Sequence, residues 1–268
     1  MKTPIHPKSK VQDLNSKLQT PNSTIPLLIP GFHGVREALI QGRVRIREIW
    51  IATGKKPGRV GDILRIAKEQ GIPVSYKEAS ELSRLLPDIA HQGIVAVAED
   101  FTYADLDHII ETSLQGGGHA ILIVADHITD EGNLGALIRT AAFFGVNGLI
   151  IPGDRSARVS ARILKRSSGG YLHLPITKVV NIGRTLDHLE KKGFWIIGAA
   201  GEASTSIYRF DWDRDLVLVL GNEKSGLSRT VRKRCHEIVS IPAFGPVESL
   251  NVSVSGGIIL SEIVRQRG

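Results

Sequence analysis

Continuous apolar runs in the second half of the chain constrain its fold more than any other sequence feature. Such runs occur after residue 118 at Ala120–Ala125, Gly148–Ile151, Phe194–Ile197, Leu216–Leu220 and Ile238–Ile241. Strands with one solvent-exposed face alternate apolar and polar residues. Continuous apolar runs instead indicate strands that are covered on both faces. The pattern therefore predicts an α/β domain of nucleotide-binding type, with a parallel sheet between helices. Helices are predicted between the strands, over Asn133–Phe144, about Val159–Ser168, Asn181–Lys192, about Ser228–His236 and Leu250–Arg267.

The composition excludes several classes of protein. The chain has 268 residues, of which 42% are hydrophobic and 23% charged, so there is material for one large globular domain or two ordinary ones. A single cysteine excludes a disulfide framework and a CxxC redox or zinc motif, and we expect no metal site. The apolar runs are too short to cross a bilayer and the N-terminus lacks a secretory h-region, so we expect a cytoplasmic protein.

The net charge favours no single partner. Lys and Arg number 34 against 27 Asp and Glu, which gives +7. A modest positive surplus is compatible with a polyanionic partner such as RNA, but many proteins without one are equally basic.

Composition divides the chain into four segments. Residues 1–28 contain four prolines, no aromatic residue and no glycine, which predicts a disordered basic tail. Residues 29–100 predict a small α/β module, with helices at 33–41, 59–70 and 79–86 and strands at 48–52, 73–76 and 93–98. Residues 101–118 end in three glycines and are predicted as a linker to the α/β domain at 119–268.

Three segments that follow predicted strands carry unusual polar residues. In the first, Asp126 opens a polar stretch that leads through Asn133 to Arg139-Thr140. The helix predicted there is otherwise apolar. An arginine within it needs either a carboxylate partner or a functional role, because an unpaired buried charge is costly.

The second segment is the glycine-bounded loop Gly221-Asn222-Glu223-Lys224-Ser225-Gly226, directly after a buried strand. Glycines let the backbone approach a ligand closely, although an ordinary strand–helix turn has the same composition. The spacing is not that of a P-loop, and no GxGxxG turn follows the first strand, which disfavours dinucleotide binding.

The third segment runs from Ile241-Pro242 to Ser253. Ser249 is a candidate N-cap for the last helix, a common role for serine. The additional polar residues Asn251 and Ser253, within an otherwise apolar helix, indicate more than capping.

In order and spacing, these segments resemble the three motifs of SpoU/TrmH-type RNA 2′-O-ribose methyltransferases. The resemblance covers residues 118–268, and the module at 29–100, with His91-Gln92-Gly93-Ile94, is similar to the L30e-like RNA-binding domain that often precedes this catalytic domain. Gly153–Ala157 and Gly198–Ala203 are most similar to the bacterial 23S rRNA guanosine-2′-O-methyltransferase branch.

The resemblance implies a SPOUT parallel sheet with a trefoil knot, a feature that general topology rules make rare. It also implies S-adenosylmethionine (SAM) as methyl donor, no metal, and a homodimer that completes each site. The implied SAM-binding residues are Ala200, Gly201, Gly221, Ile241 and Leu250. The implied catalytic cluster is Asn133, Arg139, Glu223, Ser249 and Asn251.

Methyl transfer to a ribose 2′-OH requires alignment of oxygen, methyl and sulfur, together with removal of a proton. Arginine is a poor base by its ordinary pKa. Our hypothesis is that Arg139 binds the target phosphate and polarises, or accepts from, the 2′-OH. Asn133, Ser249 and Asn251 then orient this hydroxyl, and Glu223 holds the arginine.

Two basic clusters are candidates for RNA phosphate contact. The first comprises Arg155, Arg158, Arg162, Lys165 and Arg166, and the second Arg229, Arg232, Lys233 and Arg234. The predicted function is methylation of a guanosine in 23S rRNA. The alternatives are a tRNA or another rRNA nucleotide as target, including antibiotic-resistance methylation, or a non-catalytic RNA-binding protein of ribosome assembly.

Overall fold

A computed structural model describes residues 27–268, apart from residues 43, 56, 57, 59, 88, 89, 155, 158 and 248. The chain forms two compact units, one of residues 27–35 and 44–100 and the other of residues 36–42 and 101–268, so that the division falls within the first helix. Most of the predicted basic tail lies outside the described residues. Its last two positions, Leu27 and Leu28, belong instead to a strand, because this short apolar stretch pairs with the sheet of the first unit.

A four-stranded mixed sheet forms the first unit. The strands are β1 (Leu27–Pro30), β2 (Val44–Ala52), β3 (Val74–Lys77) and β4 (Ile94–Phe101), in the order β1-β4-β2-β3. The helices of this part of the chain are α1 (Phe32–Gln41), α2 (Val60–Glu69) and α3 (Ala79–Leu85). Strand β1 is antiparallel to β4, and β2 is parallel to β3. The order of these helices and strands along the chain confirms the predicted alternation. Leu82, Leu86 and Val95 are buried in the core of this unit.

The second unit contains a seven-stranded sheet in the order β7-β6-β5-β10-β8-β11-β9. Its strands are β5 (Ile121–Ala125), β6 (Gly148–Pro152), β7 (Ile176–Val179), β8 (Trp195–Ala199), β9 (Thr205–Ser206), β10 (Leu216–Leu220) and β11 (Glu237–Ser240). Every described pairing in this sheet is parallel, and every residue of β5, β6 and β10 is buried. The predicted parallel sheet is therefore confirmed. The sequence pattern missed β7 and β9, because both are short and only partly buried.

Six helices accompany this sheet: α4 (Leu106–Leu114), α5 (Glu131–Phe143), α6 (Ala161–Arg166), α7 (Ile182–Lys191), α8 (Arg229–Arg232) and α9 (Val252–Arg267), in the part of the chain that the structure describes. Helix α8 is much shorter than predicted, because the chain turns into β11 and the His236 amide donates to the Ile196 carbonyl. None of the helices among the described residues is long and apolar enough to span a membrane.

Helix α4 corrects the prediction of a flexible linker at 101–118. Asp105 caps the helix by accepting from the amide of His108, at 3.0 Å. Ile109 and Ile110 are each 1% exposed and pack in the core of the second unit. The three glycines after the helix suggested a flexible linker. The segment is instead packed in the core by Ile109 and Ile110, which precede the glycines.

The strand register aligns the segments that carry polar residues. Leu220 at the end of β10 is in register with Ala125 of β5 and with Ala199 of β8. The chain therefore leaves all three strands at one edge of the sheet, the edge where open α/β sheets bind ligands. Helix α9 passes close to this edge: a Cβ at Gly256 would lie 2.9 Å from Leu220 Cδ1 and 3.0 Å from Leu137 Cδ1.

Candidate active site

A cavity of about 940 Å³ lies at the carboxyl ends of β8, β10 and β11. All the residues predicted to bind SAM line it, namely Ala200, Gly201, Gly221, Ile241 and Leu250. Apolar side chains of β10, β11 and α9 form part of its wall, among them Leu220, Val239, Val252 and Ile259. Its volume lies at the upper end of the range for cofactor sites, about 300–1,000 Å³.

The loop after β10 is folded back on itself. Asn222 and Gly226 exchange backbone hydrogen bonds of 3.0 and 2.9 Å. A Cβ at Gly221 would lie 2.3 Å from the carbonyl carbon of Gly226, so no residue with a side chain fits there without moving the loop. Only glycine permits this turn, which places the Gly221 backbone on the cavity wall.

Asn222 organises this loop, a role that the sequence did not assign to it. Its Nδ2 donates to the carbonyl oxygen of His127 at 2.7 Å. Its Oδ1 accepts from the amides of Lys224, at 2.9 Å, and Ser225, at 3.3 Å. Asparagine bonds nearby backbone in this way in many turns, and its position between glycine and glutamate was the available signal.

Asp126 is a buried carboxylate beneath the same loop. Its Oδ1 lies 2.6 Å from Nδ1 of His127, and its Oδ2 accepts from the amide of Ser228 at 2.7 Å. His127 adopts a left-handed backbone conformation with φ of 60°, which is unusual for a residue other than glycine. Asp126 thus joins the end of β5 to the start of α8, and the His127 carbonyl is available to Asn222.

The structure brings three of the predicted catalytic residues into one hydrogen-bonded chain. Asn133 Nδ2 donates to Glu223 Oε1 at 2.8 Å, and Asn251 Nδ2 donates to Asn133 Oδ1 at 2.7 Å. Glu223 and Ser249 also line the cavity. Asn251, rather than Ser249, is the N-cap of α9, since its Oδ1 accepts from the Ser253 amide at 2.9 Å. Capping and the contact with Asn133 use different atoms of the same amide.

Arg139 stands apart from this chain. It is exposed, and its Nη1 lies 3.5 Å from Ser168 Oγ. Arg139 follows Asn133 by six residues on α5, which places the two side chains about 120° apart around the helix. The ion pairs of the described residues include none between Arg139 and Glu223, whose carboxylate accepts from Asn133 instead.

The first basic cluster is described in part. Arg162, Lys165 and Arg166 lie on α6, whereas Arg155 and Arg158 lie outside the described residues. Arg162 Nη1 is 3.7 Å from Glu131 Oε2. The second cluster was expected to present unpaired basic side chains to RNA. In the structure two of its members have acidic partners instead. Arg234 pairs with Asp187 at 2.6 Å, and Arg232 pairs with Glu202.

Two family profiles match the chain. The SpoU rRNA Methylase family matches residues 120–261, and the RNA 2′-O ribose methyltransferase substrate-binding family matches residues 28–104. The chain belongs to the SpoU family of RNA methyltransferases. The predicted resemblance is thereby confirmed.

Relatives of this SpoU enzyme cover nearly its whole length. A Staphylococcus haemolyticus protein described as a TrmH family tRNA/rRNA methyltransferase is 36% identical over 241 residues, 90% of this chain and 96% of that protein. The 23S rRNA (guanosine-2′-O-)-methyltransferase RlmB of Xylella fastidiosa is 38% identical over 242 residues, 89% of this chain and 96% of that protein. The crystal structure of the SpoU methyltransferase AviRb from Streptomyces viridochromogenes, in complex with AdoMet, matches with a TM-score of 0.79 and 26% identity, over 97% of this chain and 98% of that one.

The cavity of the SpoU enzyme fits SAM as its cofactor. Gly221 lines the cavity within a turn whose own backbone leaves no room for a Cβ, so backbone rather than a side chain meets a ligand there. The apolar wall that includes Leu220 and Ile259 suits an adenine ring. The enzyme is a SAM-dependent RNA (ribose-2′-O)-methyltransferase. Among the described residues, no group of three or more His, Cys, Asp and Glu side chains could hold a metal ion.

Proposed function

We propose that this enzyme methylates the ribose 2′-OH of a guanosine in 23S rRNA and that it works in the cytoplasm as a homodimer. The single observation that carries the proposal is the hydrogen-bonded chain Asn251–Asn133–Glu223 at the edge of the cofactor cavity. The choice of guanosine in 23S rRNA is supported by the similarity to RlmB of Xylella fastidiosa over 89% of the chain.

The catalytic cluster acts by orientation. Asn133 uses its amide nitrogen as a donor and its amide oxygen as an acceptor, so its side chain is fixed from both ends. Ser249 lines the cavity, and in the proposed reaction its hydroxyl binds a ribose oxygen. Correct alignment of the reacting atoms lowers the activation free energy of a group transfer by up to about 7–11 kcal/mol.

SAM, when bound, supplies an electrophilic methyl group on a sulfonium whose sulfur leaves as a neutral thioether. In the proposed reaction the 2′-oxygen forms the new O–CH₃ bond as the C–S bond breaks, and the 2′-OH proton passes to a basic group. Arg139 binds the phosphate of the target nucleotide and polarises this hydroxyl. The positive charge of Arg139 favours loss of the 2′-OH proton, because it stabilises the negative charge that develops on the oxygen.

A homodimer accounts for the position of Arg139. Within one chain its guanidinium lies near Ser168, and its side chain leaves the helix about 120° around the axis from that of Asn133. A two-fold related copy would bring Arg139 of one subunit to the cluster of the other, as an isologous interface allows. Exposed apolar side chains on α5 and α9 support such an interface. Phe143 on α5 is 82% exposed, and Val254 on α9 is 49% exposed.

The order of the last strands supports a trefoil knot. The chain passes from β10 across β8 to β11, and then returns so that α9 packs on α5 and Asn251 meets Asn133. We propose that the described residues between β11 and α9, 241–247 and 249–251, belong to the threaded segment.

The test is a map of 2′-O-methyl groups in rRNA and tRNA from cells that contain or lack the gene. We expect one guanosine of 23S rRNA to lose its methyl group, and wild-type protein but not an Asn133→Ala variant to restore it. Loss of a methyl group only in tRNA, or at another rRNA base, would favour the alternative targets. An unchanged map despite SAM binding would contradict the proposal.

A further inference from the structure

One ion pair lines the cofactor cavity without any assigned role. Among the described residues, the charged side chains along the cavity are Glu202, Glu223, Lys224 and Arg232. Glu223 is committed to Asn133. Glu202, in the loop after β8, and Arg232, at the end of α8, form a hydrogen-bonded ion pair with each other.

Both members of this pair are accessible. The side chain of Arg232 is 41% exposed and that of Glu202 is 66% exposed. A hydrogen bond from its own backbone amide, followed by the hydrogen bond from Arg232, lowers the pKa of the Glu202 carboxyl. An ion pair this exposed contributes little to fold stability, so stability alone does not account for its place at the cavity.

Arg232 differs from the other members of its basic cluster. Arg234 is turned to Asp187 on α7, at 2.6 and 3.1 Å. Arg232 is the member of the cluster found along the cavity, and its partner Glu202 lines the same space. The pair therefore presents a positive and a negative group side by side to whatever fills the cavity.

The cofactor has a matching pair of charges. The adenosine part of SAM is uncharged, whereas its amino-acid end carries an α-carboxylate and an α-ammonium on the same carbon. We infer that the Glu202–Arg232 pair recognises this amino-acid end, with Arg232 bound to the carboxylate and Glu202 to the ammonium. Guanidinium–carboxylate hydrogen bonds are among the stronger ones in proteins. The inference rests on the cofactor site described above and not on the identity of the RNA target.

Calorimetric titration of the full-length protein tests this assignment with three ligands. S-adenosylhomocysteine carries the whole amino-acid end, its decarboxylated analogue lacks the carboxylate, and methylthioadenosine lacks both charges. The variants are Arg232→Met and Glu202→Gln. Arg184→Met, an exposed arginine of α7 away from the cavity lining, is the matched control.

We expect Arg232→Met to weaken S-adenosylhomocysteine about ten- to a hundredfold, as loss of a hydrogen bond between charged groups does. The same variant should leave methylthioadenosine unchanged. Glu202→Gln should weaken S-adenosylhomocysteine and the decarboxylated analogue, whereas Arg232→Met should have no effect on the analogue. Arg184→Met should bind all three ligands like the wild type.

A charge-swapped variant, Glu202→Arg with Arg232→Glu, separates recognition from folding. It keeps an ion pair but reverses its direction, so we expect wild-type thermal unfolding with weak S-adenosylhomocysteine binding. Equal weakening of S-adenosylhomocysteine and methylthioadenosine in Arg232→Met would overturn the inference, because the pair would then only shape the cavity. Unchanged S-adenosylhomocysteine binding in Arg232→Met would also overturn the inference. If the same variant also lost RNA affinity, Arg232 would be identified as a phosphate contact. Either result leaves the rRNA methylation map as an independent test of the proposed function.

Discussion

Asn133 at the start of α5 and Asn251 at the start of α9 are 118 residues apart in sequence, and they share a hydrogen bond of 2.7 Å. Asn133 in turn donates to Glu223 at 2.8 Å. One primary amide therefore links the segments after β5, β10 and β11. A primary amide donates through its nitrogen and accepts through its oxygen without carrying a charge, which suits asparagine to the middle of this hydrogen-bonded chain.

We expect Asn133→Ala to reduce single-turnover methyl transfer by about a hundredfold or more, because small errors in the placement of reacting groups have effects of this size. Asn133 does not line the cavity, so SAM affinity should stay within about threefold, as measured by calorimetry. Asn133→Asp should be at least as inactive, since its carboxylate cannot donate to Glu223. Asn181→Asp, which preserves the cap that accepts from the Arg184 amide, is the matched control and should remain active.

Arg139→Ala should abolish most methyl transfer while SAM still binds, because Arg139 is exposed and not part of the cavity lining. If Arg139 serves the partner subunit, an Arg139→Ala chain and an Asn133→Ala chain complement each other. Co-expressed with different tags and purified through both, this heterodimer has one intact site of two. We expect about half of the wild-type activity for such a two-fold arrangement. An inactive heterodimer would place Arg139 with the cluster of its own chain.

Replacement of Lys165 and Arg166 by Gln should weaken RNA binding uniformly across sequences. Arg162 has an acidic neighbour in Glu131 at 3.7 Å, whereas the ion pairs of the described residues include none for Lys165 or Arg166. Each lost phosphate contact lowers the slope of log affinity against log salt by about 0.7 for single-stranded RNA. Affinity measured between low and physiological salt should show a reduction of about 1.4 for the double variant. An unchanged slope would show that α6 does not contact phosphate.

Glu262 predicts a pH-dependent contribution to stability. Hydrogen bonds from Arg265 and then Gln266 lower the pKa of the Glu262 carboxyl to about 2. The unfolded chain binds this proton near pH 4.3, about the ordinary value for Glu, before the folded chain does. The contribution is therefore complete above that pH and is lost as the pH falls toward 2.

Comparison of Glu262→Gln with the wild type tests this sign. The variant should unfold at a lower temperature at pH 7, and the difference should narrow steadily below about pH 4. Glu111→Gln, on the exposed face of α4, should show no such pH-dependent difference. A difference that grows on acidification would contradict the assignment.

Much of the second unit was predictable because its signals are local. The runs Ile121–Ala125 and Leu216–Leu220 are apolar at every position, and only a strand covered on both faces accommodates such a pattern. The loop from Gly221 to Gly226 gave a weaker signal, because an ordinary strand–helix turn has the same composition. In the structure a Cβ has no space at Gly221, and Gly226 has a φ of 63°. Helix α4 was missed because a short amphipathic helix before three glycines resembles a linker in composition.

The sequence by itself determined the parallel sheet, because a continuous apolar run is a local signal. Its three motifs also marked the segments that are predicted to bind SAM and to form the catalytic cluster, because each motif is a contiguous stretch of chain. Only the tertiary structure decided which of these residues meet. Strand register brought Asn222 to the carbonyl of His127, and the return of α9 brought Asn251 to Asn133. It also turned Arg232 away from its basic neighbours to Glu202. Such contacts join residues 30 to 118 positions apart, and their geometry depends on strand order and helix packing, which no local pattern records.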